Sequence, residues 1–287
     1  MAAAGIRNIL IANQIVGSRK MDRLAGLIAI ADPILVIDSL NNAQELAGAA
    51  RRGGKRLRVL IEVDVGMHRA GVLPGAPVLT LARAVSELSE LSFKGVFAWE
   101  GHTARIADPK EKKRAVNEAL SLLTDSAEAC RREGLEAEIV SCGGTGTYPT
   151  CLQHLGVTEV QVGGGIFSDM HYRTNVGVQF PCALSIIATV TSRPTPTRIV
   201  LDAGKKAMSS DAALPHPIGI RGVKSMRLSA EHAIIELEQS NDRPSIGKHV
   251  EFIVGYSDTT VHLHEEMIAI RNGRVEAVWR VAARGTR

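Results

Sequence analysis

The 287 residues predict an α/β barrel or open sheet followed by a smaller antiparallel β domain. Three observations carry this. Up to Tyr172, short β-branched runs alternate with Ala/Leu/Glu/Lys/Arg segments of helical period, each closed by Gly, Asp or Pro. Beyond Tyr172 the pattern becomes alternating apolar and polar runs punctuated by Asn-Asp, Asn-Gly and Arg-Pro turns. Aromatic residues are only 3% of the chain, so the core is aliphatic and alanine-rich, which suits helices packed closely on a sheet.

Taken in order, Met1–Gly5 reads as the last turn of a helix with a C-cap glycine. Strands are expected at Ile9–Ala12, Ile34–Ile37, Arg58–Val65, Gly95–Trp99, Ala137–Ser141 and Glu159–Val162. Helices are expected near Lys20–Ala31, Asn42–Arg52, Val78–Leu88, Lys110–Arg132 and, briefly, Tyr148–Leu155. Strands this short and apolar between helices indicate parallel βα units. From Cys182 come LSIIATVTS, TRIVLDAG, AIIELEQ, KHVEFIVGYS, TVHLHEEMIAI and RVEAVWRVAA, the runs of the β domain. The division is placed at 1–175 and 176–287. Six βα strands fall short of the eight of a closed barrel. Either a late start omits the first two βα units, or the sheet is naturally open with a fraying N-terminus.

Composition excludes several classes. Hydrophobic residues are 45% and charged residues 22%, as in globular chains. The net charge of +4 is scattered, with no basic run beyond Glu111-Lys112-Lys113-Arg114 or Arg51-Arg52. With few aromatics to stack on bases, no nucleic-acid partner is expected. Asn8, Asn13 and Gln14 break any signal-peptide core, and Asp32-Pro33 interrupts the longest apolar stretch, so no membrane segment is expected. Cys130, Cys142, Cys151 and Cys182 form no C-x-x-C pair and no zinc spacing. A reduced, cytoplasmic chain is the expectation.

Candidate chemistry lies at the strand ends. The third strand ends in EVDVGMHRAG (Glu62–Gly71), the fourth in Trp99-Glu100-Gly101-His102, and the fifth in SCGGTGT (Ser141–Thr147). The sixth ends in Gly163-Gly164-Gly165 before Phe167, Asp169 and Tyr172. Two consecutive glycine-rich ends offer clustered backbone N–H groups that suit a phosphate, although tight βα turns also use such glycines. Neither is G-x-G-x-x-G or a P-loop, so a dinucleotide or nucleoside triphosphate is not the first expectation.

Together with VLDAGKKAMSSD and GYSDTTVHLHEE, these motifs make the whole chain resemble the D-threonine aldolase / D-serine dehydratase family. The resemblance implies an alanine-racemase-like (β/α) barrel that binds pyridoxal 5'-phosphate, here without its first two βα units, and a C-terminal D-serine dehydratase-like β domain. It implies a lyase acting on a D-β-hydroxy amino acid such as D-threonine, D-serine or 3-hydroxy-D-aspartate, with a homodimer as the assembly to test. By the same resemblance Arg69 reaches the cofactor ring near its phenolic oxygen. Gly143, Gly144, Thr145 and Gly146, with Gly164 and Gly165, match the phosphate cup. Gln161 falls where related enzymes place a partner for the pyridine nitrogen. Tyr256 and His102 are the candidate catalytic residues, Tyr256 as a proton donor toward a leaving hydroxyl.

Two departures stand against the family pattern. Metal-dependent members carry His-x-Cys or His-x-Asp where this chain has Tyr256-Ser257-Asp258, leaving Asp258 as the remaining divalent-metal ligand. His262 and His264, at i and i+2 on an expected strand, would share a face and are the alternative donors. The family's Schiff-base lysine lies in an Arg-Pro-His-x-Lys-Thr-His-like motif that this sequence does not contain. An inactive remnant or weak cofactor-binding module is therefore the alternative to a working lyase, with an amino-acid racemase third. An incomplete barrel is also expected to expose its apolar inner face and aggregate.

Overall fold

Local signals set the elements of the first half. Ser39 caps a helix by accepting from the Asn42 amide at 3.3 Å, and Gly54 ends it at φ +73°. Asp108 accepts from the Glu111 amide at 2.8 Å, with Pro109 at the first helical position. The chain is described here by a computed structural model over residues 1–285. It divides into two compact units, Met1–Val162 and Gly163–Arg287.

The first unit opens on a single 3-10 turn, Ala2–Ala4, closed by Gly5 at φ +86°. It then runs β1 (Asn8–Ile11), α1 (Ser18–Ile30), β2 (Asp32–Ile37), α2 (Leu40–Gly53), β3 (Leu57–Glu62) and α3 (Ala76–Ser86). It continues with β4 (Leu91–Phe97), α4 (Pro109–Arg132), β5 (Ile139–Cys142), α5 (Tyr148–Cys151) and β6 (Glu159–Val160). All six strands are parallel and lie in sequence order, as the βα alternation predicts.

Period-two alternation gives this sheet two different faces. Leu35, Ile37, Leu57, Val59, Ile61, Val96 and Val140 join Leu46, Val78, Leu120 and Leu123 of the helices in one apolar cluster. On the other face Ile34, Val36, Leu60 and Phe97 form a separate cluster with Leu10 and Ile139. Each of the four is 5% exposed or less, so the inner face does not lie open as expected.

The second unit carries an antiparallel sheet of order β10-β11-β8-β7-β12-β9. Its strands are β7 (Ser185–Thr195), β8 (Arg198–Leu201), β9 (His216–Pro217), β10 (Val223–Leu228), β11 (Ala233–Leu237) and β12 (His249–Ile253). A short α6 (Ser257–Val261) follows, then the hairpin β13 (Glu266–Arg271) and β14 (Arg274–Arg280). Asn272 and Gly273, at φ +51° and +73°, make the hairpin turn that Asn-Gly predicts. Two expectations fail. β9 and β10 carry weak alternation and were not anticipated. The TVHLH run is not a strand, because Thr260 donates to the Tyr256 carbonyl and Ser257 is tied to Asp169, which winds the segment into α6. His262 follows that helix and His264 Nε2 lies 2.7 Å from the Ala207 carbonyl, so the two do not share a strand face.

Candidate functional site

Above the apolar layer of the first unit, the inner face turns polar. Glu62, the last residue of β3, is 4% exposed and accepts from Gln14 Nε2. Asp38 accepts from the Gly71 amide at 3.2 Å, and Arg69 Nη2 lies 3.4 Å from Glu62 Oε1. The Arg69 guanidinium sits 4.9 Å from the centre of the Trp99 ring, a cation–π arrangement. At the end of β6, Gln161 donates to Ser141 Oγ at 2.9 Å.

Asp64 organises the turn after β3. Its Oδ1 accepts from the amides of Gly66 (3.0 Å) and His68 (2.9 Å), and its Oδ2 lies 3.1 Å from His68 Nδ1. Burial opposes ionisation here, but these bonds outweigh it and hold the carboxyl below its ordinary value. Gly66 is at φ +116°, and a Cβ there would stand 3.0 Å from His102 Nε2, so His102 is seated on this turn.

The fifth loop is built around a fully buried carboxylate. Glu100, 0% exposed, accepts from Thr147 Oγ1, from the Gly143 amide at 3.2 Å and from Cys151 Sγ at 3.5 Å. Thr147 Oγ1 in turn accepts from the Gly144 amide at 3.2 Å. A Cβ on Gly143 would meet Cys151 Sγ at 3.2 Å, and one on Gly144 would meet Trp99 Nε1 at 3.1 Å. The neighbouring Cys142 thiol is pushed up by its hydrogen bond with Cys151 and by burial, with Glu100 adding to both. In contrast, the Thr145 hydroxyl is buried with no partner among the described residues. The amides of Thr145 and Gly146 likewise find no protein acceptor there. A buried polar atom left unpaired is uncommon.

In the second unit, Gly164 and Gly165 lie on a 3-10 turn, Gly164–Ile166. Any Cβ on Gly164 would fall 2.3 Å from the Tyr172 ring. Asp169, 0% exposed, accepts from the Ser257 amide (2.7 Å) and hydroxyl (2.8 Å) and from the Tyr172 amide (2.9 Å). Ser168, beside it at φ +52°, has a buried hydroxyl without a partner among the described residues. Tyr256 donates to Asp258 Oδ2 at 2.7 Å, and its ring packs edge-on against His171 with centroids 5.1 Å apart. Burial and the Asp258 carboxylate push the Tyr256 hydroxyl up, so it stays a phenol.

The family described as "Alanine racemase, N-terminal domain" matches residues 2–171, and "Putative serine dehydratase domain" matches residues 183–270. D-threonine aldolase of an Arthrobacter species is 31% identical over 99% of this chain and 76% of its own length. The chain belongs to the D-threonine aldolase family. 3-Hydroxy-D-aspartate aldolase of Paracoccus denitrificans is 32% identical over 99% of the chain and 75% of its own length. The crystal structure of D-threonine aldolase from Filomicrobium marinum matches with TM-score 0.95 and 32% identity, covering 99% of this chain and 79% of that one. Membership accounts for the fold, an alanine-racemase-like parallel sheet with an antiparallel β unit.

Pyridoxal phosphate, the cofactor this family implies, meets a donor set of the right chemistry in the first unit. The unpaired Thr145 hydroxyl and the free amides of Thr145 and Gly146 suit a phosphate, and Arg69 on Trp99 supplies a fixed cation. Among the described residues of the first unit, no lysine stands at the C-terminal end of a strand. Lys94 lies within β4 and pairs with Glu136, Lys55 donates to the Ala29 carbonyl, and Lys20, Lys110, Lys112 and Lys113 are on α1 and α4. For a divalent metal the donors do not fit. Asp258 is engaged by a tyrosine held protonated, and no group of three His, Cys, Asp or Glu suited to a metal occurs among the described residues.

Sequence reasoning named the loop, Arg69, His102, Tyr256 and Asp258 as candidates, but not the Tyr256–Asp258 bond or the roles of Glu100, Thr147, Trp99 and Asp169. A carboxylate directly before Gly-His at a strand end was the available signal for Glu100. For Asp169 there was none, since its partner Ser257 lies 88 positions away.

Proposed function

We propose that the chain is a pyridoxal-phosphate-binding lyase of the D-β-hydroxy amino acid class, with its phosphate site in the fifth loop of the first unit. The observation that carries this is the buried, unpaired Thr145 hydroxyl beside two unpaired amides at the strand ends. Family membership supports it, since D-threonine aldolase and 3-hydroxy-D-aspartate aldolase are relatives across the whole chain.

When bound, the cofactor supplies an electron sink for bond cleavage beside an amino-acid α-carbon. The residues here do the holding. Thr145 and Gly146 bind the phosphate dianion with neutral donors. Arg69, oriented by Glu62 and Trp99, places a positive charge at a phenolic oxygen and favours its ionised form. Gln161, held by Ser141, offers a neutral amide to a ring nitrogen and so leaves that nitrogen less protonated than a carboxylate would. Tyr256 keeps its proton, because burial and Asp258 oppose its loss; that proton is given to Asp258 Oδ2, so on this reading it reaches a leaving hydroxyl only once that bond turns away. His102, seated on the Asp64 turn, is the other candidate catalytic residue of the set.

The alternative reading is a module that binds the cofactor without turning over substrate. Absorbance titration with pyridoxal phosphate, borohydride reduction and peptide mapping separate the two. Labelling of one lysine, with glycine and acetaldehyde from D-threonine, supports the aldolase. Pyruvate and ammonia from D-serine would make it a dehydratase. Saturable binding with no labelled lysine and no product leaves the binding module, and no saturable binding overturns both readings.

A further inference from the structure

We infer that Glu100 is a positioning residue that shapes the anion site of the fifth loop without touching the ligand. This rests on the reading of that loop as the phosphate site and adds the group that sets its form. Glu100 is fully buried just past β4, and it is an acceptor for two donors of the neighbouring βα loop, the Gly143 amide and the Thr147 hydroxyl, and for the Cys151 thiol of α5. A buried carboxylate is costly unless its oxygens are saturated, and here they are saturated by the loop itself.

The pairing decides which loop donors remain. Glu100 Oε2 takes the Gly143 amide. Oε1 takes the Thr147 hydroxyl proton, which leaves a Thr147 lone pair to accept the Gly144 amide. The Thr147 amide closes back on the Gly144 carbonyl at 3.1 Å. Gly143, Gly144 and Thr147 are thus consumed inward. Thr145 and Gly146, between them, are the amides left over, and Thr145 Oγ1 is left with them. Glycine is needed at Gly143 because the loop is drawn onto Cys151 at φ +81°. One carboxylate therefore fixes which donors of the segment stay unpaired.

The direction of the Thr147 hydroxyl is the sensitive point. In Glu100→Gln the amide oxygen keeps the Gly143 bond, and the amide nitrogen replaces Oε1. A nitrogen donor there forces the Thr147 hydroxyl to turn toward the Gly144 carbonyl, which lies 3.4 Å away. The side chain keeps its size, but the bond that fixes the turn is reversed in direction and a carboxylate is replaced by a neutral amide; Thr147→Val, which leaves Glu100 in place, removes the bond without that change.

The test is isothermal titration of the full chain with pyridoxal 5'-phosphate and with pyridoxal, which lacks the phosphate. Wild type is expected to prefer the phosphorylated form; if it does not, the loop is no phosphate site and this inference falls with it. Given that preference, Glu100→Gln is expected to lose roughly tenfold in affinity for pyridoxal phosphate, with pyridoxal unchanged within about twofold. Thr147→Val is expected to reproduce the loss, and the double variant to add nothing further, because both act through one bond. Retained phosphate preference in Glu100→Gln, or equal loss for both ligands, overturns the role of Glu100 and leaves the phosphate site standing. Should Glu100→Gln fail to fold, Thr147→Val decides alone: an unchanged preference refutes the inference.

Discussion

The two ends of the parallel sheet in the first unit are finished differently. At its N-terminal edge the charged groups close on one another near solvent: Arg58 bridges Asp32 and Asn8, and Lys94 reaches Glu136. At its C-terminal edge two carboxylates are buried, Glu62 at 4% and Glu100 at 0% exposure, and a buried hydroxyl at Thr145 has no partner. The apolar layer of Ile34, Val36, Leu60 and Phe97 separates the two. The difference shows where each kind of polar group belongs. Exposed pairs that satisfy each other contribute modest stability, whereas a buried group left short of a partner calls for an explanation, of which a ligand is one.

That comparison is broken most directly at the separating layer. Leu60→Ala removes a fully buried side chain and is expected to cost about 2–5 kcal/mol in urea unfolding. Because the strand ends keep their own hydrogen bonds, the preference for pyridoxal phosphate over pyridoxal should survive at temperatures where the variant is folded. A lost preference in a folded sample would mean that layer and site are one unit.

Thr145→Val tests the upper end by separating binding from stability. It is expected to weaken pyridoxal phosphate by about tenfold, because a donor to a charged group is removed. Folding stability should stay level or rise within about 1 kcal/mol, since the hydroxyl lost was buried and unpaired. A marked loss of stability would show that the hydroxyl has a structural partner after all.

Arg58→Met tests the lower end. Its guanidinium bonds Asp32 Oδ1 at 3.1 Å and Asn8 Oδ1 at 2.6 Å, and Asp32 is 62% exposed. About 0.5–1.5 kcal/mol is expected, shrinking as salt is raised, with no change in ligand preference.

The same contrast explains what the sequence made legible. Strands and helices of the first unit follow from period and capping, as at Ser39 and Asp108, because those signals are local. The glycine-rich loop was visible because its chemistry is written in consecutive residues. Glu100 was quoted only as part of a motif, since nothing in Trp-Glu-Gly-His says that its partners lie 43 to 51 positions on. The TVHLH run misled for a related reason: β-branched residues argue for a strand, and the bonds from Ser257 to a distant Asp169 overrule them. Thus His262 and His264 lost the shared face that period two had given them.

The smallest expected effect lies at Asp64, where the upper end contributes to stability as well as to the site. Its carboxyl is held below the ordinary 3.8 by the amides of His68 and Gly66 against the pull of burial. A depressed folded pKa means that the ionised form is favoured by folding. The contribution is therefore complete above the unfolded value and is lost as pH falls through the folded one. Asp64→Asn keeps an acceptor for the two amides but cannot lose a proton, so its stability should fall less steeply with acid. Urea midpoints of both proteins, taken at neutral pH and at steps down to about pH 2, give the test. Wild type should be the more stable at neutral pH and the gap should close below about pH 4. Parallel curves would place the acid sensitivity elsewhere, and the turn that seats His102 would then owe its shape to the two amide bonds and not to the charge.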